Sequence, residues 1–221
     1  MKQKTIFIAA LVLLALVFAG GAQLYRSQKA QEAVASAGKS KEMLVRFHSQ
    51  SLGRADARVQ IVEFLDPACE TCAAFYPLVK QMMAANREDI RLTVRYAPFH
   101  QGSDEVVKVL EASRKQAKYW QTLEALLASQ PAWVQHHQAQ PELIWPHLAK
   151  VGLNIEQLKS DMQSPDIARA VAQDVADAKA LNVTQTPEYF VNGRPLPSFG
   201  FEQLRTLVDE ELAATSKAKA G

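Results

Sequence analysis

Two rhythms of apolar and polar residues run along this chain, and the points where the rhythm changes mark its elements. An uncharged apolar run extends from about Thr5 to Ala22, behind Lys2 and Lys4, and has no polar face of the kind a surface helix carries. From Gln23 to about Met43 the composition turns to Ala, Ser, Gln and Lys with few large apolar residues, which suits a stalk or helical linker. After Arg58 comes "VQIVEFL", a short β-branched apolar run of the kind that forms a strand buried on both faces. Asp66 and Pro67 stand where a helix would start, and Phe75, Leu78, Val79 and Met82 then recur at helical spacing, with Pro77 expected to kink the helix. "IRLTVRY" alternates Ile90, Leu92, Val94 and Tyr96 with Arg91, Thr93 and Arg95 and predicts a period-two strand. Strand, helix and strand in this order make a βαβ unit.

From Ser103 to about Leu181 the signals are helical. Ser103 is expected to cap one helix, Pro141 to open a second segment, Asn154 to cap "IEQLKSDM", and Ser164-Pro165 to open "DIARAVAQDVADAKAL". Strand character returns in "EYFV". A turn at Asn192-Gly193 follows, and Pro195 and Pro197 make the next strand, "RPLP", an edge. Phe201, Leu204, Leu207, Val208 and Leu212 end the chain as an amphipathic helix. The fold class is α/β: βαβ followed by ββα, with a helical block inserted at about 103–181. The domain itself runs over 43–221, after an N-terminal segment at 1–25 and a linker at 26–42. No internal repeat is visible.

Composition changes this picture little. The chain has 221 residues, 48% hydrophobic and 22% charged, which is ordinary for a globular domain. A formal charge of +2, with no interleaving of basic and aromatic residues, excludes nucleic acid as a partner. The N-terminal run does change the picture, because it reads as an export element. Its apolar length lies between the core of a cleavable signal and the roughly 20 residues that span a bilayer. Gly20, Gly21 and Ala22 would suit cleavage, whereas Leu24, Tyr25 and Arg26 look like an interfacial anchor. A retained single-span anchor is the preferred expectation and a cleaved signal peptide the alternative.

Export also changes how the two cysteines are read, since outside the cytoplasm disulfides form and persist. Cys69 and Cys72 are separated by Glu70 and Thr71, at the start of a helix that follows a buried strand. The first cysteine of such a pair lies among unpaired N–H groups at the positive helix end, which favours its thiolate. The second, one turn on, can attack a mixed disulfide formed at the first. A structural staple is the weaker reading, because so small a loop constrains the unfolded chain little. Zinc would need more ligands, and His48, His100, His136, His137 and His147 do not follow standard spacing. The adjacent His136 and His137 are expected on a solvated face. Glu63 interrupts an apolar strand; a buried carboxylate there would have a raised pKa and could pass a proton to or from Cys72, unless it points to a solvated edge. Pro187, before the strand "EYFV", would be trans by base rate alone, since only about 5–6% of X-Pro bonds are cis.

Taken together, "GRADARVQIVEFLDPACETC", "EASRKQAKYWQTLEALLASQ" and "DVADAKALNVTQTPEYFVNGRPL" resemble the DsbA-like thiol-disulfide oxidoreductases of the thioredoxin fold, over about Met43 to Ala213. The resemblance implies that Pro187 is a cis-proline facing the cysteines. It further implies that Thr186 offers backbone hydrogen bonds to an extended substrate, that Glu63 is the family's buried acid, and that the inserted helices cover the cysteine face. It implies no cofactor beyond the redox-active pair Cys69–Cys72. The expected activity is disulfide exchange with exported or unfolded cysteine-containing proteins in the bacterial envelope, either inner-membrane anchored with a periplasmic domain or soluble in the periplasm. A membrane redox partner would reoxidise or reduce the pair. Donation of disulfides is preferred over reduction or isomerisation, and a non-catalytic client-binding module is the alternative from another class. Two residues depart from the family's strong oxidants, which commonly carry Pro-His between the cysteines. Glu70 would oppose a thiolate at Cys69, and neither Glu70 nor Thr71 supplies an imidazole.

Overall fold

The computed structural model describes residues 41–220. The expected export segment at 1–25, and the linker as far as residue 40, lie outside the described residues. Among the described residues no helix is long and apolar enough to cross a membrane.

A five-stranded sheet organises the domain. Strand β1 (Gln50–Leu52), β2 (Val59–Leu65), β3 (Ile90–Tyr96), β6 (Glu188–Val191) and β7 (Arg194–Pro195) lie in the order β1-β3-β2-β6-β7. The apolar run that predicted a doubly buried strand, β2, sits at the centre, parallel to β3 and antiparallel to β6. The crossover from β2 to β3 is helix α1 (Glu70–Ala85), which runs on through Pro77. β7 is the edge its prolines require, since it pairs only with β6 and can leave N–H positions unfilled. The other edge, β1, has no sequence signal, because three half-buried residues show no periodicity.

Alternation along β2 sends Ile61, Glu63 and Leu65 to one face and Val62 and Phe64 to the other. The first face packs with α1 and the final helix, α7 (Phe201–Ala220), in a core that includes Cys69, Cys72, Tyr76, Tyr189, Leu204 and Val208. The second packs beneath helix α6 (Pro165–Ala180), with Phe190, Ala178 and Val183. This second layer explains a departure from the period-two reading of β3: its polar positions Thr93 and Arg95 are buried as completely as its apolar ones. Arg95 is tolerable there because Asp174 and Asp177 of α6 meet its guanidinium at 2.7 Å each. His48 joins Asp174 at 2.6 Å, and Arg46 closes the group on Asp177 at 2.7 Å.

The inserted block holds α2 (Ser103–Arg114), α3 (Tyr119–Ala128), a short hairpin of β4 (Val134–Gln135) with β5 (Gln138–Ala139), then α4 (Trp145–Leu148), α5 (Ile155–Met162) and α6. Two expectations need correcting. The block is not helical throughout: His136 and His137 adopt φ of 51° and 61° and form the turn of the β4–β5 hairpin. Nor does Ser103 cap α2; Gly102 precedes the helix at φ 79°, and the Ser103 hydroxyl donates to His100 O at 2.8 Å. Gly102 is required on a second count, since a Cβ there would lie 2.7 Å from Ala139 O of the hairpin. Asn154 does cap α5, its Oδ1 accepting from Gln157 N at 3.1 Å, and Pro141 opens a 3₁₀ turn, Pro141–Leu143.

Candidate active site

Helix α1 begins later than Asp66-Pro67 suggests. Its N-cap is Cys69 itself, in an extended conformation (φ −78°, ψ 116°), so the thiol occupies the place of a capping oxygen. Cys72 N–H donates to Cys69 Sγ at 3.4 Å, and Cys69 Sγ in turn lies 3.2 Å from Thr186 O. The Cys69 pKa is brought down to about 5: a hydrogen bond from the Cys72 side chain contributes most, burial opposes it, and the Thr186 side chain and the N–H groups of Cys72 and Thr71 add to it. Cys72 is the opposite. It is fully buried, and burial, then its bond to Cys69, then the nearby Glu63 charge push its thiol well above the ordinary range. One sulfur is therefore prepared as a thiolate and its neighbour as a thiol.

Glu63 lies on the sheet face that α1 covers, and its side chain is wholly buried. Neither carboxyl oxygen has a hydrogen-bond partner. Burial pushes its pKa up to about 8, tempered by the neighbouring Tyr189 hydroxyl and reinforced by Cys69. A carboxyl in this state is protonated at neutral pH yet close to giving its proton up. Opposite the cysteines, the Thr186–Pro187 bond is cis, as the family resemblance implies and contrary to the base rate. Pro187 is buried, Thr186 is half-buried, and the Thr186 carbonyl is the group that touches Cys69.

Glu70 is solvent-exposed. Its carboxylate, 59% exposed, lies 3.3 Å from Nδ1 of His137 at the tip of the inserted hairpin. An imidazole from elsewhere in the chain thus meets a residue between the cysteines, although an ion pair this exposed is worth little. His137 is solvated, as its polar neighbourhood suggests, but it stands beside the cysteine helix.

Two further residues hold the cysteine turn: Asp66, expected only as a helix start, and Gln130, which the sequence did not single out. Asp66 is completely buried, and one carboxylate accepts from Ala68 N (2.8 Å), Phe99 N (2.7 Å) and His100 N (2.8 Å), with His100 Nδ1 at 2.7 Å. It ties the loop after β2 to the loop after β3. Gln130, in the 3₁₀ turn Gln130–Ala132 that follows α3, is buried and sends its amide to the carbonyls of Pro67 and Cys69. An aspartate closing an apolar run was a usable signal for Asp66. For Gln130 there was none, because its neighbours are set by the packing of the insertion. Among the described residues no group of three His, Cys, Asp or Glu side chains is arranged to hold a metal ion.

This arrangement agrees with what the chain resembles. The sequence profile of the thioredoxin family matches residues 48–210. A Bacillus cereus protein named probable disulfide bond formation protein D is 30% identical over 184 residues, covering 79% of this chain and 83% of the relative. A Na(+)/H(+) antiporter NhaA of Herminiimonas arsenicoxydans is 30% identical over 144 residues, or 65% of this chain, but the match spans only 22% of the antiporter's length. The crystal structure of a thioredoxin-like oxidoreductase from Silicibacter pomeroyi superposes with a TM-score of 0.65 and 29% identity, covering 75% of this chain and 92% of the other. With the buried acid, the N-capping cysteine and the cis-proline in one place, and the family profile spanning most of the domain, the chain belongs to the thioredoxin family, in its DsbA-like branch.

Proposed function

We propose that this protein is a thiol-disulfide oxidoreductase of the bacterial envelope, and that it donates disulfides to exported cysteine-containing proteins through Cys69 and Cys72. The observation that carries this reading is the opposed state of the two sulfurs: Cys69 held near a pKa of 5 as the N-cap of α1, and Cys72 fully buried with its thiol pushed up. At neutral pH a group with that pKa favours thiolate over thiol by about a hundredfold. Stabilising the thiolate stabilises the reduced form, which makes the disulfide form the more avid oxidant.

In the donating direction, a substrate thiolate attacks Sγ of Cys69 in the Cys69–Cys72 disulfide. The sulfur–sulfur bond breaks, Cys72 leaves with the electron pair, and the proton of Glu63 neutralises it. A second substrate thiolate then attacks the substrate sulfur of the mixed disulfide. Cys69 leaves as a thiolate, and the substrate departs with its own disulfide. Two electrons now reside in the protein's dithiol, and a membrane-bound redox partner, such as a quinone-linked oxidant, takes them to restore the disulfide. Thr186 and Pro187 flank the attacked sulfur and offer backbone to an extended substrate segment. The chain carries no cofactor in this scheme, and an N-terminal anchor at 1–25 would keep it beside its partner.

The test is covalent trapping. With Cys72→Ala, substrates should accumulate as mixed disulfides at Cys69, and purified oxidised protein should introduce disulfides into a reduced, unfolded client faster than it rearranges a scrambled one. Faster repair of the scrambled client would reverse the direction to isomerisation or reduction. Absence of any mixed disulfide would favour a client-binding module instead.

A further inference from the structure

One buried polar group under the cysteines, the Tyr189 hydroxyl beside Glu63, is left unexplained by the exchange scheme. Glu63 on β2 and Tyr189 on β6 are register partners in the antiparallel ladder, so their side chains stand side by side on the face that α1 covers. Both are completely buried, and neither the two carboxyl oxygens nor the phenol hydroxyl has a hydrogen bond. Unpaired buried polar atoms cost stability, and such groups are retained where they have work to do. The Tyr189 ring is held in place by Phe75, stacked on it with centroids 6.2 Å apart.

The titratable groups that act on Glu63 are Cys69, Cys72 and Tyr76 of α1 and Tyr189 of β6. On β3 its register partner is Val94, and α7 brings Leu204, Leu207 and Val208 to this core. Tyr76 is already committed, donating to Glu124 Oε1 at 3.2 Å. Sγ of Cys69 lies against Thr186 O, and the Cys72 thiol is directed at Cys69. The Tyr189 hydroxyl remains.

We propose that Tyr189 is a positioning residue for Glu63: its hydroxyl turns onto the carboxylate when Glu63 ionises, and so governs how readily Glu63 exchanges a proton with Cys72. This rests on the proposed disulfide exchange. The charged carboxylate gains a charge-assisted donor in a site that offers no other, while the neutral acid needs none. The proton itself passes between Glu63 and the Cys72 sulfur, and Tyr189 keeps its own throughout.

Tyr189→Phe removes one oxygen and leaves the ring on Phe75. In the reduced protein, carbon NMR titration of the Glu63 carboxyl should then move to higher pH, by about one unit, or tenfold in its proton affinity. The pH midpoint for attack of Cys72 on the mixed disulfide at Cys69, the reverse of the step in which Cys72 leaves, should move the same way, and Tyr189→Phe should have no further effect on that step once Glu63→Gln is present. An unmoved carboxyl titration would overturn the inference, as would an equal effect of Tyr189→Phe in the Glu63→Gln background. If the protein exchanged no disulfides at all, the proposed function would fall, and the carboxyl titration alone would still decide the role of Tyr189.

Discussion

The side-chain amide of Gln130 donates to the carbonyl oxygen of Cys69 at 3.0 Å, and the same nitrogen reaches the carbonyl of Pro67 at 2.8 Å. The inserted block thus grips the backbone on both sides of Ala68, while Asp66 holds the Ala68 N–H. The conformation that lets Cys69 cap α1 is clamped from two directions.

Gln130→Leu keeps the bulk of the side chain and removes the donor. A buried carbonyl left without its partner costs about 1–3 kcal/mol, so denaturant unfolding should show a loss in that range. Freed from the clamp, the turn presents its N–H groups to Cys69 less well, and the thiolate absorbance titration should move to higher pH. A loss of stability with the Cys69 titration unmoved would mean that Gln130 packs the loop without tuning it.

The stability of the reduced form should depend on pH in a way the oxidised form does not share. Cys69 has a folded pKa of about 5 against an ordinary value of 9.0. Its stabilisation of the reduced fold is therefore fully present above about pH 9 and is lost as pH falls through about 5. The disulfide form has no thiol to titrate. Subtracting the two unfolding curves should give a difference that grows in favour of the reduced form from pH 5 upward, by at most about 1.4 kcal/mol per unit. A flat difference would contradict a stabilised Cys69 thiolate.

Glu63→Gln should act with its own pH signature. The folded carboxyl has a pKa of about 8 against 4.5 ordinarily, so folding at intermediate pH must take up a proton. That penalty is absent below about pH 4.5 and complete above about pH 8. The stability of Glu63→Gln relative to the parent should rise across this window by on the order of 5 kcal/mol, whatever constant offset the buried amide adds. Resolution of mixed disulfides by Cys72 should slow at the same time, measured by quenched-flow alkylation.

Arg95→Met tests the second face of the sheet. It removes the buried cation that Asp174 and Asp177 share, 0% and 4% exposed, and leaves Asp174 with His48 and Asp177 with Arg46; breaking a buried pair in this way costs about 3–5 kcal/mol. Restoring neutrality with Asp174→Asn and Asp177→Asn should recover much of that loss. The Cys69 titration should stay where it is, since this network and the cysteines lie on opposite faces; a shift would mean that the faces are coupled through β2.

Much of the fold was legible because local physics specified it. "VQIVEFL" could be nothing but a central strand once both its faces were apolar, Asn192-Gly193 could only turn, and Asn154 capped the helix that its position announced. The cysteine pair was legible too, through its place before an amphipathic run. Where local reading went astray, a distant partner had intervened. Arg95 looked solvated in its alternating strand until α6 supplied two aspartates, and Ser103 looked like a cap until His100 and Asp66 claimed its hydroxyl. His136 and His137 looked helical in their surroundings until β4 paired with β5 around them.

The chain's own order of residues determined which elements form, in what succession, and which two sulfurs meet one helical turn apart, since all of these follow from periodicity and spacing over a few residues. Only the tertiary structure decided what those sulfurs experience. The depth at which Glu63 and Cys72 are buried, the Thr186 carbonyl against Cys69, the grip of Gln130 and the pairing of Glu63 with Tyr189 all join residues remote in sequence. Proton affinity depends on the dielectric and the donors within a few ångströms, and those neighbours exist only once the sheet and the insertion have closed around them.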